Sequence, residues 1–186
     1  MAHSHTSKLA VAALICGVGT ALAPSSLAGA DARGAETFAG VCEMSGVIHH
    51  QPPMTNEPAP TRVHGRFDGA CSGQLTDRDG ETHQLDGARA RYEGRGFGEL
   101  SCLGGTAPGT GKLVFERGQA IDFTLTERRI PGVAIVTLEG AAGGSATVIG
   151  TVSRDEDLAE LNARCNGSGL RFLRGDARIE SPGISG

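Results

Sequence analysis

Four cysteines, Cys42, Cys71, Cys102 and Cys165, follow an export-type leader, and that combination constrains this chain more than any other feature. The leader has the parts of a secretory signal in order: a positive charge at Lys8, an uncharged apolar run from Leu9 to Leu22, and small residues at Ser26-Leu27-Ala28 and Ala28-Gly29-Ala30 that suit a signal peptidase. The run is about 14 residues, short of the ~20 that a membrane-crossing helix needs. Residues 1–30 are therefore expected to be removed as a signal peptide, leaving a mature start near Asp31 and no membrane anchor. Cys16 lies inside the run, behind an Ile15 too bulky for a lipoprotein signal, and leaves with the leader. The expected location is secreted and extracellular, where four cysteines form two disulfides. A structural zinc site would need cysteines paired at close spacing, and the shortest gap here is the 29 positions from Cys42 to Cys71.

Residues 31–186 are 156 of the 186, enough for a single domain with a real core. Their net charge is minus 5, one below the minus 4 of the full chain because Lys8 departs with the signal. That balance lacks the basic footprint of a nucleic-acid binder.

Periodicity fixes the fold class. From Thr61 to Leu75 the odd positions read Thr61, Val63, Gly65, Phe67, Gly69, Cys71, Gly73, Leu75, and the even ones Arg62, His64, Arg66, Asp68, Ala70, Ser72, Gln74. A period of two is that of a strand with one face on a core and the other in water. The preceding segment repeats it on even positions, with Phe38, Gly40, Cys42, Met44, Gly46 and Ile48, so the two form a hairpin. Setting Cys42 opposite Cys71 places Phe38 opposite Leu75, Met44 opposite Gly69, Gly46 opposite Phe67 and Ile48 opposite Gly65. Large side chains then cover glycines across the pair. The expected disulfides are Cys42–Cys71 and, from the remainder, Cys102–Cys165, with residues 51–60 as a proline-stiffened hairpin loop.

Further strands are predicted at 82–92, 97–103, 110–116, 119–127, 133–140, 145–152 and 170–179, with turns at Asp79-Gly80, Arg117-Gly118 and Pro131-Gly132. Ile121, Phe123 and Leu125 make another inward row. One short helix is predicted over 154–164, opened by a Ser153/Glu156 capping box. The fold class is all-β: an antiparallel barrel, or a two-layer sandwich, of about nine short strands and one helix, with the glycine content favouring the barrel.

Chemical signatures are sparse. The same register sets His49 opposite His64 on the outer face beside His50. These are weak metal candidates, since a firm site needs a third ligand and Glu57 is the only convenient one. His83 has no partner that sequence names. Gly104 to Leu113 resembles a phosphate-binding loop but has Thr106 and Leu113 at positions that need glycine and a hydroxyl, so it is expected to be a glycine-rich hairpin loop. No nucleophile elbow is present, and the cysteines are committed to bridges. The carboxylates at Asp77, Asp79, Asp86 and 155–157 read as turn or capping residues. Arg174-Gly175-Asp176 spells an integrin-recognition tripeptide but falls in the last strand. No catalytic residue and no cofactor are assigned.

The Phe38-Ala39-Gly40-Val41-Cys42 opening, the Pro52-Pro53-Met54-Thr55 segment, the Cys71-Ser72-Gly73 strand and the stretch Gly140-Ala141-Ala142-Gly143-Gly144-Ser145-Ala146 resemble those of a set of small exported proteins from high-GC Gram-positive bacteria. That resemblance implies secretion and a β-rich fold, and it brings no activity with it. The expected function is a secreted, non-catalytic binding module of the cell envelope or medium, whose partner is a small apolar ligand or a protein. Two alternatives compete: a secreted hydrolase with dispersed carboxylates and His83, and a protease inhibitor using the 51–60 loop as bait.

Overall fold

The alternation of apolar and polar residues becomes an inside and an outside. A computed structural model describes residues 34–186; the expected signal peptide, Cys16 and the mature start near Asp31 lie outside the described residues. The chain forms β1 (Thr37–Met54), β2 (Ala59–Thr76), β3 (Thr82–Ser101), β4 (Gly104–Phe115), β5 (Ala120–Ile130), β6 (Val133–Gly140), β7 (Gly143–Val152), α1 (Leu158–Cys165) and β8 (Leu170–Ser185). Each strand pairs antiparallel with the next, and β8 returns to pair with β1, closing a barrel. Closure leaves no sheet edge exposed.

Eight strands stand where about nine were expected, because the predicted segments 82–92 and 97–103 run together as β3. Gly94 and Gly96 do not break that strand. They occupy inward positions opposite Gly65 and Val63 of β2. Likewise Gly104 to Leu113 is not a loop but most of β4. A β-carbon on Gly109 would lie 2.0 Å from the Arg95 carbonyl oxygen of β3, so glycine there allows an approach that no other residue permits.

The β1–β2 register is the predicted one throughout, including Cys42 against Cys71, Gly46 against Phe67 and His49 against His64. The bridges are Cys42–Cys71, with Cα atoms 4.0 Å apart, and Cys102–Cys165, at 6.1 Å. The first staples neighbouring strands inside the core. The second ties the β3–β4 turn to the last residue of α1.

Inward residues fill the lower barrel, where Phe38 meets Phe115 at 5.2 Å and Tyr92 lies between Phe123, stacked at 5.6 Å, and Phe67, edge-on at 6.0 Å. A second cluster, including Met54, Leu100, Leu161 and Leu170, occupies the end covered by α1. The outer wall is charged, with Arg91 bonded to Asp68 at 2.7 Å and Arg178 held by Glu43 and Glu180. Such exposed pairs add little stability.

The helix begins later than predicted. Its N-cap is Asp157, whose side chain accepts from the N–H groups of Ala159 and Glu160. Glu156 does not complete a capping box with Ser153; its carboxylate accepts from the backbone N–H of Arg174 on β8 instead. An eight-residue helix is not stable alone. This one is held by buried Leu161, the Cys165 bridge, and Arg164 lying 5.1 Å over the Phe172 ring.

Candidate functional site

Helix α1 lies across one mouth of the barrel, and beneath it the wall is incompletely filled. A hollow of about 180 Å³ opens there, its apolar lining including Ile48, Met54, Val133, Leu158, Leu161 and Leu173. Both Cys102 and Cys165 border it, so the second disulfide is part of its wall. A smaller hollow of about 60 Å³ continues into the barrel, sharing Ile48, Phe67, Ala134 and Gly150 with the first. The space exists because inward positions on this half carry no side chain: Gly65, Gly94, Gly96 and Gly150 all line it. For scale, an engineered apolar cavity of about 150 Å³ accommodates benzene.

The apolar lining is broken by Thr151, Asn162 and Asp176 in the outer hollow and by Arg95 in the inner one, and at its buried end by a charged pair. Arg129, at the end of β5, is 8% exposed and borders the outer hollow; Glu127, 7% exposed, borders the inner one. Arg129 donates from Nε and Nη2 to the same oxygen, Glu127 Oε1, at 3.0 and 2.5 Å. Its Nη1 donates to His50 Nε2 and to the Met54 sulfur, each at 3.0 Å. Since a guanidinium can only donate, His50 Nε2 accepts and the ring proton sits on Nδ1. That nitrogen is buried without a hydrogen-bond partner. Burial first, then the Arg129 charge, then His49 lower the His50 pKa to about 3 against a weaker opposing pull from the Leu170 backbone, so the imidazole is neutral. Tyr92 lines the inner hollow too, and burial followed by the Glu127 charge raises its pKa, keeping the phenol protonated.

The residues singled out in the sequence fall elsewhere. His49 and His64 face each other on the outer wall, both exposed, and among the described residues no third donor joins them. His50, expected beside them outside, is turned inward and is 2% exposed. His83 does have partners: Asp77 Oδ2 lies 3.1 Å from its Nε2 and Glu81 Oε1 4.0 Å from its Nδ1. These are the three donors that lie within 4.8 Å of one another at the β2–β3 turn. Asp77 is held below the usual carboxylate range chiefly by His83, and it also accepts from the backbone N–H groups of Asp79 and Glu81. Both imidazole nitrogens thus face carboxylates, and no hydroxyl or thiol among the described residues is hydrogen-bonded to either. The group braces a turn and carries no nucleophile.

The 51–60 segment is not a free loop. β1 runs on to buried Met54, and only 55–58 turn. The prolines sit where the β1–β8 ladder is interrupted between His49 and Met54, so their missing N–H groups cost no pairing. The turn itself is pinned, because Thr55 accepts from the Cys102 N–H at 2.7 Å and Asn56 donates to Asn166 at 2.6 Å. A bait loop must stand clear of the body, and this one is tied to the lid. Arg174-Gly175-Asp176 lies within β8, as expected.

Sequence reasoning missed Glu127, Arg129 and His50, although the signal was present. The inward row Ile121, Phe123, Leu125 continues in steps of two to Glu127 and Arg129, and the even row of β1 continues from Ile48 to His50. Comparison with known proteins finds no matching family model, no similar curated protein and no similar solved structure.

Proposed function

We propose that this chain acts outside the cell as a non-catalytic carrier or receptor for a small, mainly apolar molecule held in the barrel beneath α1. The observation that carries this reading is the apolar hollow of about 180 Å³ at the α1 mouth, continuous in its lining with the lumen. A pocket for a small molecule is concave and mostly apolar with a few placed polar groups, and this one has Arg129 and Glu127 in those places. Its size suits a single ring or a short chain rather than a drug-sized molecule. The export-type leader and the two disulfides support an extracellular setting.

The decisive experiment is an NMR titration of the oxidised protein with toluene. Shifts at Val133, Gly150, Leu158 and Leu161 are expected. They should vanish in Gly150→Leu, because a β-carbon at Gly150 has its nearest neighbour 3.7 Å away and the larger side chain grows into the shared hollow. Shifts confined to the outer wall would overturn the proposal.

A further inference from the structure

The chemical class of the ligand follows from which polar atoms of the pocket are left without partners, an inference that rests on the binding reading above. We propose that the ligand is a small neutral alcohol or phenol, its apolar body under α1 and its hydroxyl between Glu127 Oε2 and the Tyr92 hydroxyl.

Both donors from Arg129 fall on Glu127 Oε1. Among the described residues no hydrogen bond uses the second oxygen, Oε2, and none uses the Tyr92 hydroxyl, although both side chains border the inner hollow. Both residues are buried, with exposures of 7% and 8%. Buried polar atoms normally find partners, and a purely apolar ligand would leave both dry. A hydroxyl supplies one donor and two acceptor sites, so it can donate to the carboxylate oxygen and accept from the phenol at once.

Charge selects among the polar ligands that could do so. Arg129 and Glu127 offset each other, and His50 is neutral. Asp176 and Arg95, which also border the hollows, are half-buried and exposed respectively, so water already screens them. A ligand carboxylate or ammonium at the buried end, beside Glu127, would instead add a net charge to a desolvated and balanced pair, the most costly of the alternatives. Ile48 and Phe67 border both hollows, so the way from the lid to the carboxylate is lined by apolar side chains.

The test is isothermal titration of the oxidised full-length protein with 4-methylphenol, toluene, 4-methylbenzoate and 4-methylbenzylamine. The expected result is that 4-methylphenol binds about fivefold or more tightly than toluene, as one hydrogen bond to a carboxylate and one from a phenol allow, and that both charged analogues bind more weakly. Tyr92→Phe should erase most of the preference for 4-methylphenol. Equal affinities for 4-methylphenol and toluene would overturn the hydroxyl assignment while leaving an apolar pocket in place. Tighter binding of the benzoate or the amine would overturn it as well, and failure of all four to bind would overturn both this inference and the binding function beneath it.

Discussion

Arg129 aims two of its N–H groups at a single oxygen of Glu127, the residue two positions earlier on the same strand, at 3.0 and 2.5 Å. Residues so spaced share one face of a strand, and here that face is the barrel interior. The pair is desolvated, with side-chain exposures of 7% and 10%. Its formation is a weak source of stability, but removing one partner strands the other. Glu127→Gln is expected to lower the unfolding free energy in urea by about 3–5 kcal/mol, and pairing it with Arg129→Met should recover much of the loss. A single-variant cost below about 1 kcal/mol would mean that water reaches the pair.

Stability should fall in mild acid. His50 has a folded pKa of about 3 against 6.5 for a freely solvated imidazole, so between those limits the unfolded chain holds the extra proton. Above pH 6.5 the native state loses nothing by this route. As pH drops below 6.5 the contribution is lost, by up to about 1.4 kcal/mol per pH unit, until the folded pKa is reached. Urea midpoints measured from pH 7.5 to 4.5 should show this slope, and His50→Gln should flatten it. An unchanged slope in that variant would locate the acid sensitivity elsewhere.

The two bridges should differ in accessibility. Cys42 and Cys71 are fully enclosed, whereas Cys102 is partly exposed beside the lid. Under limiting reductant and alkylation, peptide mapping is expected to label Cys102 and Cys165 first. Replacing both by serine should cost about 4 kcal/mol, given their sequence separation of 63. Earlier labelling of Cys42 would contradict the enclosed position of that bridge.

Two glycines should respond oppositely to alanine. A β-carbon on Gly46 would lie 2.1 Å from the Arg66 carbonyl oxygen and 2.6 Å from the Phe67 Cα, both backbone atoms that cannot swing aside. Gly46→Ala is expected to destabilise by about 3 kcal/mol or more, as overpacking against a fixed neighbour does. Gly150→Ala, whose β-carbon would make only ordinary van der Waals contacts at 3.7 Å and beyond, should stay within about 1 kcal/mol of the parent in thermal or urea unfolding. Similar losses at both sites would show that strand propensity, not close approach, governs these positions.

The β1–β2 register was legible because a period of two plus one cysteine pair leaves no freedom: shifting by one residue would turn Phe38, Met44 and Ile48 outward. Glycine was harder to read. At Gly94 and Gly96 it marks inward space within a strand, yet glycine in sequence reads equally as a turn. Pro52 and Pro53 suggested a loop for the same local reason, while the tertiary seating of Met54 against Leu170 keeps that stretch in β1. Glu127 and Arg129 followed the inward parity but are charged, and charge alone argues for solvent unless the partner is known. The lid could not be read, because it depends on where α1 settles after the chain has closed on itself.

The seam of the barrel joins opposite ends of the described chain, setting Cys42 beside Ile179 and Met44 beside Ala177. Until the final strand arrives, β1 and β7 each present a bare edge, and the cylinder has no complete wall. Long-range closure of this kind is slow to nucleate. A nascent polypeptide with such wiring can zip its neighbouring strands together one hairpin at a time, but it commits to a sealed cylinder only when its last residues emerge.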